Sequence, residues 1–146
     1  MLRQLTLALI LAAAAVSTTG CTVTVQEGTV ARSRVRWRNE GWVKLGERMV
    51  NGRGVDRDTV TVGRDDGRFR KVMLVVEASS LEMYDMDIEF GDGSHYSPPL
   101  RAVFGKNSSS QVIDLPGDAR VIRKVVFHYR NLPGGGNANV ELWGRR

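Results

Sequence analysis

Asp85, Asp87 and Glu89 alternate through the run Leu81–Phe90, and Asp92 follows in the turn Gly91-Asp92-Gly93. A strand there projects three carboxylates from one face. Hard oxygens of this kind are what calcium takes, but same-face neighbours on a strand stand about 7 Å apart, too far for all three to share one ion. The expected role is a solvated acidic face that pairs across strands with Arg123, Arg130 or Lys71, each pair worth about 0.2–1 kcal/mol. No metal and no other cofactor is expected.

His95 and His128 are the two histidines, and neither stands in a catalytic constellation. Alternation in Val126-Phe127-His128-Tyr129-Arg130 puts His128 on the face opposite Phe127 and Tyr129. A Ser-His-acid group needs a nucleophile held beside its base. There is no Gly-x-Ser-x-Gly elbow, and Ser108, Ser109 and Ser110 read as a loop. The chain is therefore expected not to be an enzyme. Gly63-Arg64-Asp65-Asp66-Gly67-Arg68 reads as a hairpin and not a phosphate loop, because no helix follows to offer its N-terminus.

Aromatic faces bind the apolar faces of pyranose rings, so Trp37, Trp42, Trp143, Tyr84, Tyr96 and Tyr129 are the candidate stacking groups. Trp42 and Trp143 are instead expected to close the core where first and last strands meet. Tyr96, in a loop between Ser94 and Pro99, is the expected exposed aromatic, and His95, Tyr96 and Arg101 form the candidate ligand-binding set.

Arg3 leads into an apolar run from Leu5 to Val16 that stops at Ser17-Thr18-Thr19-Gly20-Cys21. A positive start, an apolar stretch of about a dozen residues and a small-residue exit make a secretory signal, and the run is shorter than the ~20 residues of a membrane span. Cys21 is the only cysteine, placed where a lipoprotein signal is cut and the new terminal cysteine acylated. A lone cysteine in an exported protein needs a partner or a modification, and acylation supplies one. Thr18 stands where such signals usually carry leucine, and cleavage after Ala15 or Ser17 would give a soluble exported chain, while an uncleaved anchor is the third route. The first route is favoured. It tethers the protein by a lipid on Cys21, with the outer membrane or its periplasmic face preferred because Thr22, not Asp, follows.

The 146 residues carry a net charge of +5, and of the 21 basic residues only Lys44, Lys71, Lys106 and Lys124 are lysine. Basic balance attracts acidic glycans and anionic headgroups, yet 16 acidic residues are interspersed. Nucleic acid is not an expected partner of an exported chain.

Residues 1–20 are the signal, 21–40 a tether followed by a possible first strand, where Val35 and Trp37 alternate with arginines, and 41–146 one domain. Short runs fill that domain: 42–50, 56–62, 69–78, 81–90, 100–104, 110–115, 121–129 and 138–143. Clusters such as Asp65-Asp66-Gly67, Pro98-Pro99 and Pro116-Gly117-Asp118 end them, since Gly supplies positive φ and Pro denies a ladder donor. About eight strands at this spacing predict an all-β fold, a single antiparallel β-sandwich of jelly-roll or immunoglobulin-like order. Val72–Val76 is apolar without a break, as in a strand covered on both sides, and the parity change between Met83 and Met86 predicts a bulge. Little helix is expected.

Trp42-Val43-Lys44-Leu45-Gly46, Gly67-Arg68-Phe69-Arg70-Lys71-Val72, Asp114-Leu115-Pro116-Gly117 with Arg120–Val125, and Leu142-Trp143-Gly144 occur in an order that resembles the YaaI-type family of small exported bacterial proteins of unknown function. The resemblance covers roughly residues 42 to 144 and implies a compact β domain without an assigned activity. Some members of that type carry a cysteine pair in the domain; this chain has none there.

The expectation is an exported envelope protein, a non-catalytic binding module for a glycan, an anionic surface or a protein partner. The alternative is a structural or assembly accessory whose edge strands pair with another envelope protein.

Overall fold

The computed structural model describes residues 30–51, 54–133 and 136–146. The signal segment, Cys21 and residues 22–29 of the tether lie outside them, as do parts of the turns at 51–54 and 133–136. One helix, α1 (Val30–Asn39), precedes ten strands: β1 (Trp42–Val50), β2 (Val55–Thr61), β3 (Lys71–Glu77), β4 (Leu81–Phe90), β5 (His95–Tyr96), β6 (Ala102–Phe104), β7 (Ser108–Ser109), β8 (Ile113–Asp114), β9 (Ile122–Asn131) and β10 (Ala138–Arg145). They form two antiparallel sheets. The first runs β1-β10-β3 with β7 and β8 sharing the far edge of β3; the second runs β2-β9-β4 with β5 and β6 sharing the far edge of β4. The all-β sandwich expected from the turn spacing is the observed architecture.

Alternating apolar residues of both sheets fill the space between them, among them Val60, Leu74, Met83, Met86, Ile88, Val125, Phe127 and Leu142. The β4–β9 register slips between Met83 and Asp85, the bulge that the parity change predicts, and it lets Met83 and Met86 both face inward. Two glycines leave room for close neighbours in this interior. A Cβ on Gly46 would lie 2.5 Å from Val60 Cγ1, and one on Gly144 would lie 2.8 Å from both Leu45 Cδ1 and Phe69 Cδ1.

Two expectations need correction. Residues 30–39, read as tether leading into a possible first strand, form α1. Arg34 and Trp37, three apart, share one helical face, which the arginine-apolar alternation conceals. That face lies on the outer side of the first sheet, where Trp37 meets Trp143 edge-on at 5.6 Å and packs with Trp42, Met73 and Val75. Trp42 and Trp143 do stand where first and last strands meet, since Trp42 pairs with Arg145 and Trp143 with Lys44, but they are buried beneath α1 and not between the sheets. The cover explains why all of Val72–Val76 is buried.

Beneath α1 lies a charge, Glu141, only 1% exposed. A buried carboxylate is tolerated only with partners. Arg34 Nη2 donates to Glu141 Oε1 at 2.6 Å, Lys44 Nζ reaches the same oxygen at 3.4 Å, and Trp143 Nε1 donates to Oε2 at 2.9 Å. Arg34 also pairs with Glu77. The second correction concerns loops: His95-Tyr96 and Ser108-Ser109 are short edge strands, pairing with β4 and β3.

Candidate binding cleft

Three connections meet at one pole of the sandwich: β2 to β3, the β4–β5 hairpin, and β8 to β9. Asp66 N–H donates to Gly63 O and Gly67 N–H to Arg64 O, closing a 3-10 turn at Arg64–Asp66, and Gly67 takes φ +97°, which a side-chain-bearing residue adopts only under strain. Gly63–Arg68 is therefore not the expected hairpin but a crossing from the second sheet to the first. Phe69 and Arg120 exchange two backbone hydrogen bonds of 2.8 Å, tying the first connection to the third. Gly91 N–H donates to Val121 O at 2.9 Å and ties in the second. Between them opens a cleft of about 1010 Å³ whose lining includes Arg64, Arg68, Arg120 and Arg123 together with Asp92 and Asp118.

The arginines differ in how they are held. Arg120 lies over the Phe90 ring, and its Nη2 donates to Asp92 Oδ2 at 2.7 Å and to the Ser94 hydroxyl oxygen. Asp92 in turn accepts from the Ser94 hydroxyl and from the Ser94 amide at 2.9 Å. These bonds, with the Arg120 charge, hold its carboxyl below the usual carboxylate range. Arg123 donates to Glu89 Oε1 at 2.8 Å while Lys124 takes Oε2 at 3.0 Å, and Lys124 followed by Arg123 lowers the Glu89 carboxyl as well. Arg70 pairs with Asp118 at 3.4 Å. Arg68 reaches only the Ala119 carbonyl, at 3.4 Å, and among the described residues neither Arg64 nor Arg68 makes an ion pair.

The candidate set His95, Tyr96 and Arg101 lies elsewhere and is not drawn together. His95 stands opposite Glu89 and Tyr96 opposite Ile88, so alternation sends them to opposite faces of the second sheet. His95 Nδ1 lies 2.7 Å from Asp87 Oδ2, and Ser97 Oγ donates to Asp87 Oδ1 at 2.9 Å. Burial opposes ionisation of Asp87, but these two partners leave its carboxyl below the ordinary value. Tyr96 is half-buried, not exposed, and lines an apolar recess of about 360 Å³ with Pro98, Leu100 and Phe104, between the interrupted edges β5/β6 and β7/β8. The Arg101 guanidinium sits 5.3 Å from the Tyr84 ring centroid.

In the acidic stripe Asp85 pairs with His128, Asp87 with His95 and Glu89 with Arg123 and Lys124; of the expected partners only Arg123 pairs with the stripe, since Arg130 takes Glu82 and Lys71 takes Asp114. Among the described residues no group of three or more His, Cys, Asp or Glu could hold a metal ion, and no helix is long and apolar enough to cross a membrane. Trp37, Trp42, Trp143 and Tyr129 are buried and offer no stacking face. In the sequence Arg123 stands out only as a partner for the acidic stripe and Arg64 and Arg68 only as turn residues, so the cleft that these arginines share with Arg120 is missed. Their signal was present in Arg64 and Arg68 around one Gly/Asp turn and Arg120 and Arg123 after another, at strand ends that antiparallel order brings to one pole.

Fold and cleft together define a small single-domain antiparallel β-sandwich with a cationic loop pole. The chain belongs to the domain of unknown function family DUF2541, whose model matches residues 8–144. Membership in a family of unknown function agrees with the resemblance, but the match starts within the apolar N-terminal run and not near residue 42, and the placement is by this description and not by the YaaI-type label. Comparison with curated proteins and with solved structures gives no match.

Proposed function

We propose that this chain is an exported, non-catalytic binding module, held at the envelope by a lipid on Cys21, and that its arginine cleft takes an anionic envelope glycan. The reading rests chiefly on Arg64 and Arg68, two guanidiniums without an acidic partner among the described residues, set in a cleft beside Arg120 and Arg123. Guanidinium groups bind carboxylate and phosphate through paired N–H donors. Asp92 and Asp118 in the same lining supply acceptors for hydroxyls, a mixture that suits a polyhydroxylated anion better than a bare ion. The signal-like segment ahead of Cys21 places such a glycan within reach.

Retention of the full chain, in neutral detergent, on immobilised polygalacturonate and on dextran tests the reading. Retention on polygalacturonate alone, released by salt and lost in the R64E/R68E double variant, is the expected result. Equal retention on dextran, or no effect of the double variant, contradicts it; a stoichiometric protein partner that stays bound at high salt would put edge-strand pairing in its place. Mass spectrometry of the mature amino terminus tests the tether, with acylated Cys21 expected and an unmodified terminus elsewhere contradicting it.

A further inference from the structure

We propose that the ligand is a linear polyanion laid across the cleft and held from two of its three loops, and not a single charged group. The inference rests on the anionic-glycan reading and adds what kind of anion fits. A cleft of about 1010 Å³ reaches the upper end of the ~300–1,000 Å³ usual for small-ligand sites, far more than one carboxylate or phosphate fills.

The charge is distributed in the same sense. Arg120 and Arg123 come from β9 and the connection before it, and each is fixed: Arg120 by Phe90, Asp92 and Ser94, Arg123 by Glu89. A guanidinium has five N–H donors, and a single nitrogen of Arg120 makes both of these bonds. Arg64 and Arg68 come from the β2–β3 connection, at the two ends of a 3-10 turn that also carries Asp65 and Asp66, and among the described residues neither makes an ion pair. One anionic group bound to the fixed pair would leave Arg64 and Arg68 uncompensated. A second, one or more sugar units along the same chain, answers them. Of the glycines in the lining, Gly117 has open space where a side chain would stand, so a polymer can lie against backbone there.

Galacturonate oligomers of one to eight units, titrated calorimetrically into the full chain in neutral detergent, test the proposal. Affinity is expected to climb with length and then level, the octamer binding at least about tenfold tighter than the monomer because its second contact is intramolecular. The slope of log affinity against log salt is expected to become shallower in R64A/R68A, because each lost ion contact leaves fewer counterions to release. A monomer that binds as tightly as the octamer, or a double variant with an unchanged slope, overturns the polyanion proposal while leaving an anion-binding cleft. Polyglutamate of equal charge binding as tightly as the octamer rejects a glycan ligand, and failure of every length to bind rejects the cleft reading itself.

Discussion

Arg120 lies with its guanidinium carbon 3.9 Å from the centroid of the Phe90 ring, covering an aromatic that is only 1% exposed. The same guanidinium is pinned edgewise by Asp92. An arginine stacked on one face and tied at one nitrogen loses little freedom when it meets a ligand, so its loop is set before binding.

The Asp92 carboxyl is held below its ordinary value by the Ser94 hydroxyl and amide and then by Arg120. A group whose pKa is depressed in the folded state contributes stability above its unfolded pKa and loses it as pH falls through the folded one. The thermal midpoint is therefore expected to hold steady near neutrality and to decline on acidification below the normal carboxylate range. In D92N, which cannot titrate at this position, the decline should be shallower, as followed by calorimetry across pH.

Arg34→Ala should destabilise the fold by about 2–3 kcal/mol in urea unfolding. Removing one partner of a wholly buried pair costs about 3–5 kcal/mol. Here Arg34 is partly exposed, and Lys44 and Trp143 Nε1 remain on Glu141. Adding Glu141→Gln to Arg34→Ala should restore part of the loss, because the orphaned charge disappears; no restoration would mean that Arg34 acts through packing alone.

Gly144→Ala places a methyl 2.8 Å from Leu45 and Phe69 side chains in a filled interior. Overpacking of this kind costs about 1–3 kcal/mol. The expected lowering of the urea midpoint should shrink in Gly144→Ala combined with Leu45→Val, which makes room on one side.

Much of the sandwich is legible before any coordinates. The runs 42–50 and 81–90 match β1 and β4 end to end, because each is bounded by turn or Gly residues that leave no continuation. The bulge at Met83–Asp85 is legible because strand parity has a period of two and any slip shows. Helix α1 is not, since Val35 and Trp37 alternate with arginines as in a strand, and only the partners Glu141 and Trp143, more than a hundred residues later, decide the period. The cleft is illegible for a related reason. It joins residues near 65, 91 and 120, and their meeting depends on β4 and β9 pairing and on the Phe69–Arg120 bridge. His95, Tyr96 and Arg101 are neighbours in sequence, yet the pleat and the Pro98-Pro99 interruption separate them.

Amide chemical-shift mapping of the isotope-labelled full chain, in neutral detergent, on addition of octagalacturonate tests the central claim most directly. Shifts are expected to concentrate at Arg64, Gly67, Arg68, Asp92 and Arg120, around the cleft. Shifts confined to Tyr96, Leu100 and Val112 at the apolar recess, or no saturable shifts anywhere, would contradict a polyanion site at the arginine pole.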